Sequence, residues 1–495
     1  MRSLITGPKR HGVFQMNLKK ITKLKQALLA VAFINTSTAA YAADEELLGI
    51  LLENGAITQA QYESLLSKDS ITSEDVIPAP SAENSTVEVI NLDERIAVQV
   101  NQQLETRLPV AASQTGSGFR LATRDGNWET NLQWRAQTRF TTPYRSDPRQ
   151  ISSFNADNQS NFEARRLRMK IGGHGFQPWL SYYFEVDLQP SRDVDDSSAS
   201  SSARVIDWRI DIAKWDWGGI RVGQWKVDLN RERVDSSGRQ QFVERSIANR
   251  VFTMDRQVGA QIRGHIFKET PADMRFYAGV FNGEGRSVNN TDNDMMYMGR
   301  LQWNFLGRDL SWRQTDVEYT DKPTGSLAIA GFTTTGSCTR WSSSGCGNLD
   351  GFDRPANAIP GQFDIDQVVQ EFAFKYRGFS AQQEYHRREI DDKSDGSSHE
   401  LTGGYVQAGY FFHNIFPSVP KELELAVRYA FVDEPNATNR IFENERRETT
   451  LGANWFFDGH NNKVTLDYSR LTLDDAFFGQ DESDDRLRLQ WDVSF

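Results

Sequence analysis

Strict alternation of apolar and polar residues recurs along the chain from about Gly116 onward, and it limits the folds that are open to the chain. In segment 422–433, positions 423, 425, 427, 429 and 431 are Leu, Leu, Val, Tyr and Phe, whereas Glu424 and Arg428 fall between them. The last ten residues, RLRLQWDVSF, repeat the pattern and end on Phe495. Because successive side chains of a β-strand point to opposite faces, each segment predicts a strand with one apolar and one wet face. Two further segments alternate in the same way: 179–189, with Leu180, Tyr182, Phe184, Val186 and Leu188 opposite Ser181, Glu185 and Asp187, and 204–215, with Ile206, Trp208, Ile210 and Ile212 opposite Asp207, Arg209 and Asp211.

The connections between these segments alternate in length, which separates a membrane barrel from a soluble sandwich. Short turns are predicted at 216–218, 269–273, 306–309, 377–378 and 458–461, and long polar loops at 142–160, 190–203, 228–256, 284–294, 322–365, 391–399, 434–445 and 474–485. Short turns on one rim and long loops on the other are typical of outer-membrane barrels. With 127–141 as the first barrel strand, the chain predicts sixteen strands, so both barrel ends lie on the short-turn rim. The piece 117–124 is predicted as a short strand outside the barrel.

Composition agrees with this fold class. The mean hydropathy is -0.59 and 38% of the residues are hydrophobic, which excludes a bundle of membrane helices. It does not exclude a β-barrel, whose lipid face uses only every second residue of each strand. We therefore expect an all-β protein, a 16-stranded antiparallel transmembrane β-barrel with a short N-terminal helical periplasmic extension.

The N-terminus predicts export. From Met16 a basic segment leads into the apolar run 27–34, and the small residues after it end in Ala40-Tyr41-Ala42. These are the three parts of a secretory signal peptide, so 1–42 is predicted to be removed, with Met16 as the possible true start. Residues 1–42 hold seven Lys or Arg and no Asp or Glu, which leaves the mature chain a formal net charge of -18. Such an acidic chain argues against nucleic acid as a partner.

The stretch between the signal peptide and the barrel differs from both. Residues 43–69 carry two short amphipathic helical patterns that are broken at Asn54-Gly55, which predicts a periplasmic helical hairpin. Residues 70–116 are predicted as a linker, in which 91–107 could form a short coiled coil. The barrel is assigned to 117–495.

The two cysteines lie close together. Cys338 and Cys346 stand in the Gly/Ser-rich stretch GSCTRWSSSGCGN. In an oxidising periplasm this spacing predicts a disulfide that closes one loop. Two cysteines without a nearby histidine make a poor zinc site, and no metal or cofactor is predicted.

Six pieces of the chain resemble the phosphate-selective porins O and P, in the order in which that family has them. They are ELLGILLENGAITQAQYESL, FEARRLRMKIGG, the run from IRVGQWKVDL to FVERS, GFSAQQEYHRRE, GYVQAGYFF and LGANWFFDGHNNKVTLDYSRL. The resemblance covers roughly 43–69 and 117–495. It implies a sixteen-stranded homotrimeric barrel in the outer membrane of a Gram-negative bacterium. It also implies an arginine-lined pore narrowed by an inward-folding third loop, and uptake of anions, above all phosphate or polyphosphate.

Alternation by itself places many cations on the wet face of the strands. The predicted anion ladder consists of Arg166, Arg168, Lys170, Arg209, Arg221, Arg263, Arg300, Arg388, Arg428, Arg486 and Arg488, and the predicted constriction loop 228–256 adds Arg231, Arg233, Arg239 and Arg245. Arginine keeps its charge and presents forked donors that match phosphate oxygens. Carboxylates share the same face, namely Glu185, Asp187, Asp207, Asp211, Glu384, Glu424 and Asp492. Charges of both signs also hold water and stiffen a barrel, so a purely structural role for each arginine stays open.

The third loop departs from the family pattern. Phosphate-selective members place lysines there, whereas DLNRERVDSSGRQQ has Arg233 at one such place and Gly238-Arg239 at another. Positive charge is kept, but the residue type is not. A general, weakly selective diffusion porin therefore remains an alternative to an anion channel.

An enzyme and a non-conducting barrel are the two other classes to which such a chain could belong. The mature chain has six histidines, and none lies in an H-E-x-x-H or G-x-S-x-G context, so no catalytic residue and no enzyme is predicted. A non-conducting envelope adhesin or structural barrel is the third class. Sixteen strands enclose an interior too wide for side chains alone to fill, so such a barrel conducts unless it is plugged.

Overall fold

The computed structural model describes residues 110–143, 160–189, 203–290, 293–343, 345–354 and 356–495, together with five isolated positions between 52 and 63. The predicted signal peptide and coiled coil, and nearly all of the predicted helical hairpin 43–69, lie outside the described residues and stay predictions. No helix in the described part of the chain is both long enough and apolar enough to span a membrane.

The described chain is almost entirely antiparallel β-structure. The strands are β1 Val110–Thr115, β2 Gly118–Thr123, β3 Glu129–Thr142, β4 Asn161–Gly175, β5 Gln177–Asp187, β6 Arg204–Trp215, β7 Gly218–Lys226, β8 Arg256–Ile266, β9 Met274–Phe281, β10 Met296–Trp303, β11 Thr324–Gly336, β12 Arg340–Ser342, β13 Gly345–Gly347, β14 Phe363–Tyr376, β15 Phe379–Asp392, β16 Ser397–Tyr410, β17 Leu423–Pro435, β18 Glu443–Asp458, β19 Asn462–Asp475 and β20 Gln480–Ser494. The helices are α1 Arg231–Val234 and α2 Ile247–Phe252, with a 3₁₀ turn at Phe412–Asn414.

Sixteen of these strands, β3–β11 and β14–β20, form a closed barrel, as predicted. Each strand pairs antiparallel with the next, and β20 closes the barrel on β3 from Leu487 beside Thr142 to Ser494 beside Arg135. The terminal Phe495 exchanges two backbone hydrogen bonds with Trp134, at 2.8 and 2.9 Å, beyond the last registered pair.

The predicted faces of β17 and β20 are confirmed. In β17, Leu425 and Val427 are 45% and 48% exposed, whereas Glu424 is fully buried. In β20, Trp491 points outward and Asp492 inward. The reason is the pleat: with one wall between lumen and exterior, alternate side chains must go to opposite sides.

β2 lies outside the barrel, as predicted for 117–124. It pairs with the beginning of β3 and with β1. β1 begins at Val110, inside the range predicted as linker, so the sheet starts before residue 117.

The prediction for residues 304–365 is partly wrong. The predicted turn 306–309 and the predicted loop 322–365 place a strand at 310–321. In the structure, residues 310–321 belong instead to the connection 304–323 between β10 and β11. The strand is β11, from Thr324 to Gly336, and the long loop covers 337–362. Ala328, Ala330 and Phe332 face inward in the middle of β11, so the polar half of the alternation is missing there.

Three predicted long loops are also too long. The loops 391–399, 434–445 and 474–485 shrink to 393–396, 436–442 and 476–479 because the flanking strands continue outward with polar residues on both faces.

In addition, Ile206 was predicted to face outward but is buried. A β-bulge between β5 and β6 pairs Glu185 with Asp207 and Val186 with Val205, so the outward position passes to Val205.

The loop 337–362 carries the small hairpin β12–β13. Cys338 and Cys346 form a disulfide within it. Trp341 of β12 is buried against Phe332, with ring centroids 5.7 Å apart. This loop therefore reaches over the lumen rather than away from it.

Candidate functional site

The loop between β7 and β8, residues 227–255, folds into the lumen; we call it L3. Its apolar side chains Leu229, Val251 and Phe252 are fully buried, and α2 packs against β16, β17 and β18 of the opposite wall. Ser246 caps α2 by accepting a hydrogen bond from the backbone N–H of Asn249. L3 therefore crosses the lumen, and that it constricts the flow of ions stays a prediction.

Wall carboxylates hold the backbone of L3. Four carboxylates accept hydrogen bonds from N–H groups of the loop: Glu371 from Arg231 at 3.0 Å, Glu384 from Glu232 at 2.6 Å, Asp467 from Val243 at 2.9 Å and Glu448 from Ile247 at 3.0 Å. Bonds from N–H groups to ionised carboxylates are among the stronger hydrogen bonds of proteins. The loop is thus fixed at several points along its length.

Wall glycines make room for L3. A Cβ on Gly403 of β16 would lie 2.5 Å from the Phe252 ring, and one on Gly452 of β18 would lie 3.0 Å from the Phe242 ring. Real Cβ atoms do not approach other atoms as closely as 2.5 Å. The wall and the loop are therefore fitted to each other.

The predicted ladder residues line the lumen, but most are paired with carboxylates. Eight have a carboxylate partner within 4 Å: Arg166 with Glu244, Arg168 with Glu185, Arg209 and Arg221 with Asp211, Arg263 with Asp228, Arg300 with Glu371, Arg428 with Glu448 and Arg488 with Asp467. Pairs of this kind stiffen the wall and offset one another's charge. They favour the structural role for seven of these arginines; Arg166 shares Glu244 with Arg139 and Arg165.

The remaining ladder positions differ from one another. Arg388 has no carboxylate partner within the described residues; it donates to Gln367 at 2.7 Å and to the carbonyl of Thr339 at 2.9 Å. Its guanidinium lies over the rings of Phe252, Phe332 and Trp341. Lys170 faces the lumen near Glu185, and Arg486 lines a small cavity together with Arg245 and Arg488.

The four arginines of L3 also have different surroundings. Arg231 donates to the carbonyl of Ser311, and Arg233 forms an ion pair with Asp255. Arg245 donates to the carbonyls of Glu232 at 2.7 Å and Asp235 at 2.6 Å, so it braces the loop from within. The Arg239 side chain is exposed.

Five arginines meet at one cavity, where L3 approaches β4 and the loop 337–362. We call it the arginine cavity. It has a volume of about 60 Å³ and is lined by Arg165, Arg166, Arg233, Arg245, Arg250, Glu244 and Asp255, with Asn249, Thr253, Trp341, Ser342 and Ser343. Five guanidinium groups thus face two carboxylates. Its volume leaves room for a few water molecules or one small anion.

The carboxylates of the arginine cavity are already shared. Glu244 accepts hydrogen bonds from Arg139 at 2.8 Å and from Arg165 at 2.9 Å, and it lies 3.8 Å from Arg166. No hydrogen bond or ion pair joins the guanidinium of Arg250 to a described residue, and its buried Nε is unsatisfied. The positive charge of the cavity is therefore in excess.

Burial and neighbouring charges both shift pKa values in L3. Burial, and next the neighbouring Arg233, lower the pKa of Arg245 to about 9. Burial alone would raise the pKa of Asp255, but Arg233 and Arg256 hold it below its usual range. Burial also raises the pKa of Glu232 to about 7 and that of Asp235 above its usual range, so burial disfavours charge of either sign within L3, and the lowered pKa of Asp255 reflects the arginines beside it.

Four lumen arginines were not predicted from the sequence. Arg165 stands next to Arg166, so alternation would place the two on opposite faces, but a β-bulge between β3 and β4 turns both into the lumen. Arg250 lies on α2, where strand alternation does not apply. Arg135 and Arg139 of β3 are buried lumen residues that the same alternation could have identified.

Several solved outer-membrane proteins resemble the chain in structure. The loop-deletion mutant of OmpT from Vibrio cholerae is 10% identical, with a TM-score of 0.47, and the match covers 74% of this chain and 99% of that one. The outer membrane channel DcaP of Acinetobacter baumannii is 11% identical (TM-score 0.44, covering 74% and 97%). An anion-selective porin from Comamonas acidovorans is 12% identical (TM-score 0.46, covering 74% and 99%).

Comparison of the sequence with protein families identifies the family of the chain. No curated protein matches the chain. The family model of the phosphate-selective porins O and P matches residues 140–495, which is most of the barrel. The chain therefore belongs to the phosphate-selective porin O and P family and is an outer-membrane porin of a Gram-negative bacterium, a passive channel rather than an enzyme.

Proposed function

We propose that this porin prefers anions and that the arginine cavity is where it selects them. The observation that carries the proposal is the excess of five arginines over two carboxylates where L3, β4 and the loop 337–362 meet. A fixed positive charge in a narrow, partly dehydrated passage raises the local concentration of anions and lowers that of cations. The ion-paired wall arginines outside the cavity contribute much less, because their carboxylates offset their charge, whereas in the cavity five arginines share two carboxylates.

Phosphate and polyphosphate, or similar small anions, are the solutes that we propose. Guanidinium groups present paired N–H donors that fit the oxygens of phosphate, and they stay charged throughout the physiological pH range. Arg165, Arg233 and Arg250 come from three different elements, so together they could surround an oxyanion. Arginine in L3 in place of lysine keeps the charge that such an anion requires.

The test is the conductance of the purified protein in a planar bilayer under a KCl gradient, followed by titration with phosphate. We expect a reversal potential that favours chloride and a current that phosphate blocks at micromolar to millimolar concentration. A cation preference without phosphate block would contradict the proposal and support a general diffusion porin. Absence of conductance would support an adhesin or structural barrel.

We also propose that the barrel assembles as a homotrimer, on the strength of its family. Native mass spectrometry of the protein released from detergent micelles is expected to give three copies of the chain. A monomer, in a preparation that still conducts, would contradict this part of the proposal.

A further inference from the structure

The connection 304–323, between β10 and β11, enters the barrel instead of staying at its rim. It lies on the rim of the short turns, where the flanking connections 267–273 and 377–378 are seven and two residues long. Leu310, Gln314, Thr315 and Asp316 are each 5% exposed or less. Loops on the surface of a barrel do not bury polar side chains to this extent.

Gln314 of the connection contacts L3 directly. Its amide nitrogen donates to Gln240 Oε1 at 2.9 Å, and its amide oxygen accepts from the backbone N–H of Gln241 at 2.7 Å. Its own backbone N–H donates to Asp235 Oδ2 at 3.3 Å. One side chain from the periplasmic side thus supports the loop that enters from the extracellular side.

Trp312 lies between L3 and the wall. The Arg300 guanidinium of β10 is 4.6 Å from the centre of its ring, and that of Arg231 in L3 is 5.8 Å away. Arg231 also donates to the carbonyl of Ser311 in the same connection. An aromatic face beside two guanidinium groups is a favourable contact, stronger where water is excluded.

The connection is also held at its base. Lys375 of β14 donates to the carbonyl of Thr315 at 2.6 Å, and Asp316 accepts from the backbone N–H of Gly378 at 2.7 Å. Thr315 Oγ1 lies 3.2 Å from His460 Nε2 in the turn 459–461. The segment therefore has fixed partners at both ends of its path through the lumen.

We propose that the connection 304–323 is a second constriction, built from the periplasmic side, that narrows the pore and supports L3 from below. The proposal rests on the channel function, and it concerns pore size rather than ion preference. The arginine cavity includes no residue of the connection, so conductance and selectivity should respond to different substitutions.

The test compares single-channel conductance in the wild type, in Trp312→Ala/Gln314→Ala and in Tyr319→Ala. Tyr319 lies on the same connection but is 44% exposed, so it serves as the matched control. We expect the double variant to conduct roughly twofold more than the wild type, with its reversal potential little changed, and the control to conduct like the wild type.

Heat-dependent electrophoretic mobility establishes that each variant barrel is folded. If the double variant does not fold, Gln314→Ala, which keeps Trp312, is measured in its place and is expected to raise conductance by a smaller factor. Wild-type conductance in the folded variant would overturn the proposal, and so would an equal rise in Tyr319→Ala. A wild-type protein that does not conduct would instead refute the channel function itself.

Discussion

Reversing two charges of the arginine cavity, Arg166→Glu together with Arg250→Glu, is expected to turn the channel from anion-preferring to cation-preferring. The cavity would then hold three arginines and four carboxylates instead of five and two. Two unit charges 4 Å apart interact by roughly 4 kcal/mol at an effective dielectric constant near 20, far more than thermal energy. Arg250 has no partner among the described residues, so no paired carboxylate there offsets the reversal of its charge. The reversal potential under a KCl gradient should change sign.

The matched control for this experiment is Arg387→Glu with Arg470→Glu. These two arginines stand on the outer surface, where their side chains are 61% and 53% exposed, and each is paired with one carboxylate. The control has the same change in net charge but leaves the lumen as it is. If the cavity variant kept the anion preference, or if the control lost it to the same degree, the arginine cavity would not be the selectivity site.

Replacing residues 229–253 of L3 by a short Gly/Ser turn is expected to raise conductance several-fold and to weaken the anion preference. A sixteen-stranded barrel has an interior too wide for wall side chains to fill, and L3 occupies much of that space. The replacement also removes Arg233, Arg245 and Arg250 from the cavity. The carboxylates that now bind the loop would be hydrated in the wider lumen, so we expect the barrel itself to fold.

The control for the L3 replacement is the same Gly/Ser turn in place of residues 476–479. Those residues connect β19 and β20 at the outer rim, and Phe477 and Phe478 there are exposed. Single-channel recording of both proteins measures the effect. An unchanged conductance after the L3 replacement, in a barrel that heat-dependent mobility shows to be folded, would mean that L3 does not limit the flow of ions.

Alternation predicted the strands best where both halves of the pattern were present. In β17 and β20, large apolar residues alternate with charged ones, and the predicted faces are the observed ones. The position of β11 was predicted wrongly because Ala328, Ala330 and Phe332 face the lumen in the middle of the strand. They pack against other lumen segments and not against water, so no polar residues alternate with the apolar ones there. Arg165 was missed because a β-bulge adds one residue and shifts the register locally, and alternation assumes an uninterrupted pleat.

The sequence by itself determined the fold class, the even strand count and the outward faces of most strands. These depend on period-two alternation and turn chemistry, which act between near neighbours in the chain. Only the tertiary structure decided which lumen arginines are paired and which meet at the arginine cavity, and that the connection 304–323 turns inward. Those outcomes depend on residues far apart in the chain, such as Arg139 and Glu244 or Gln241 and Gln314, which a closed barrel brings within hydrogen-bonding distance.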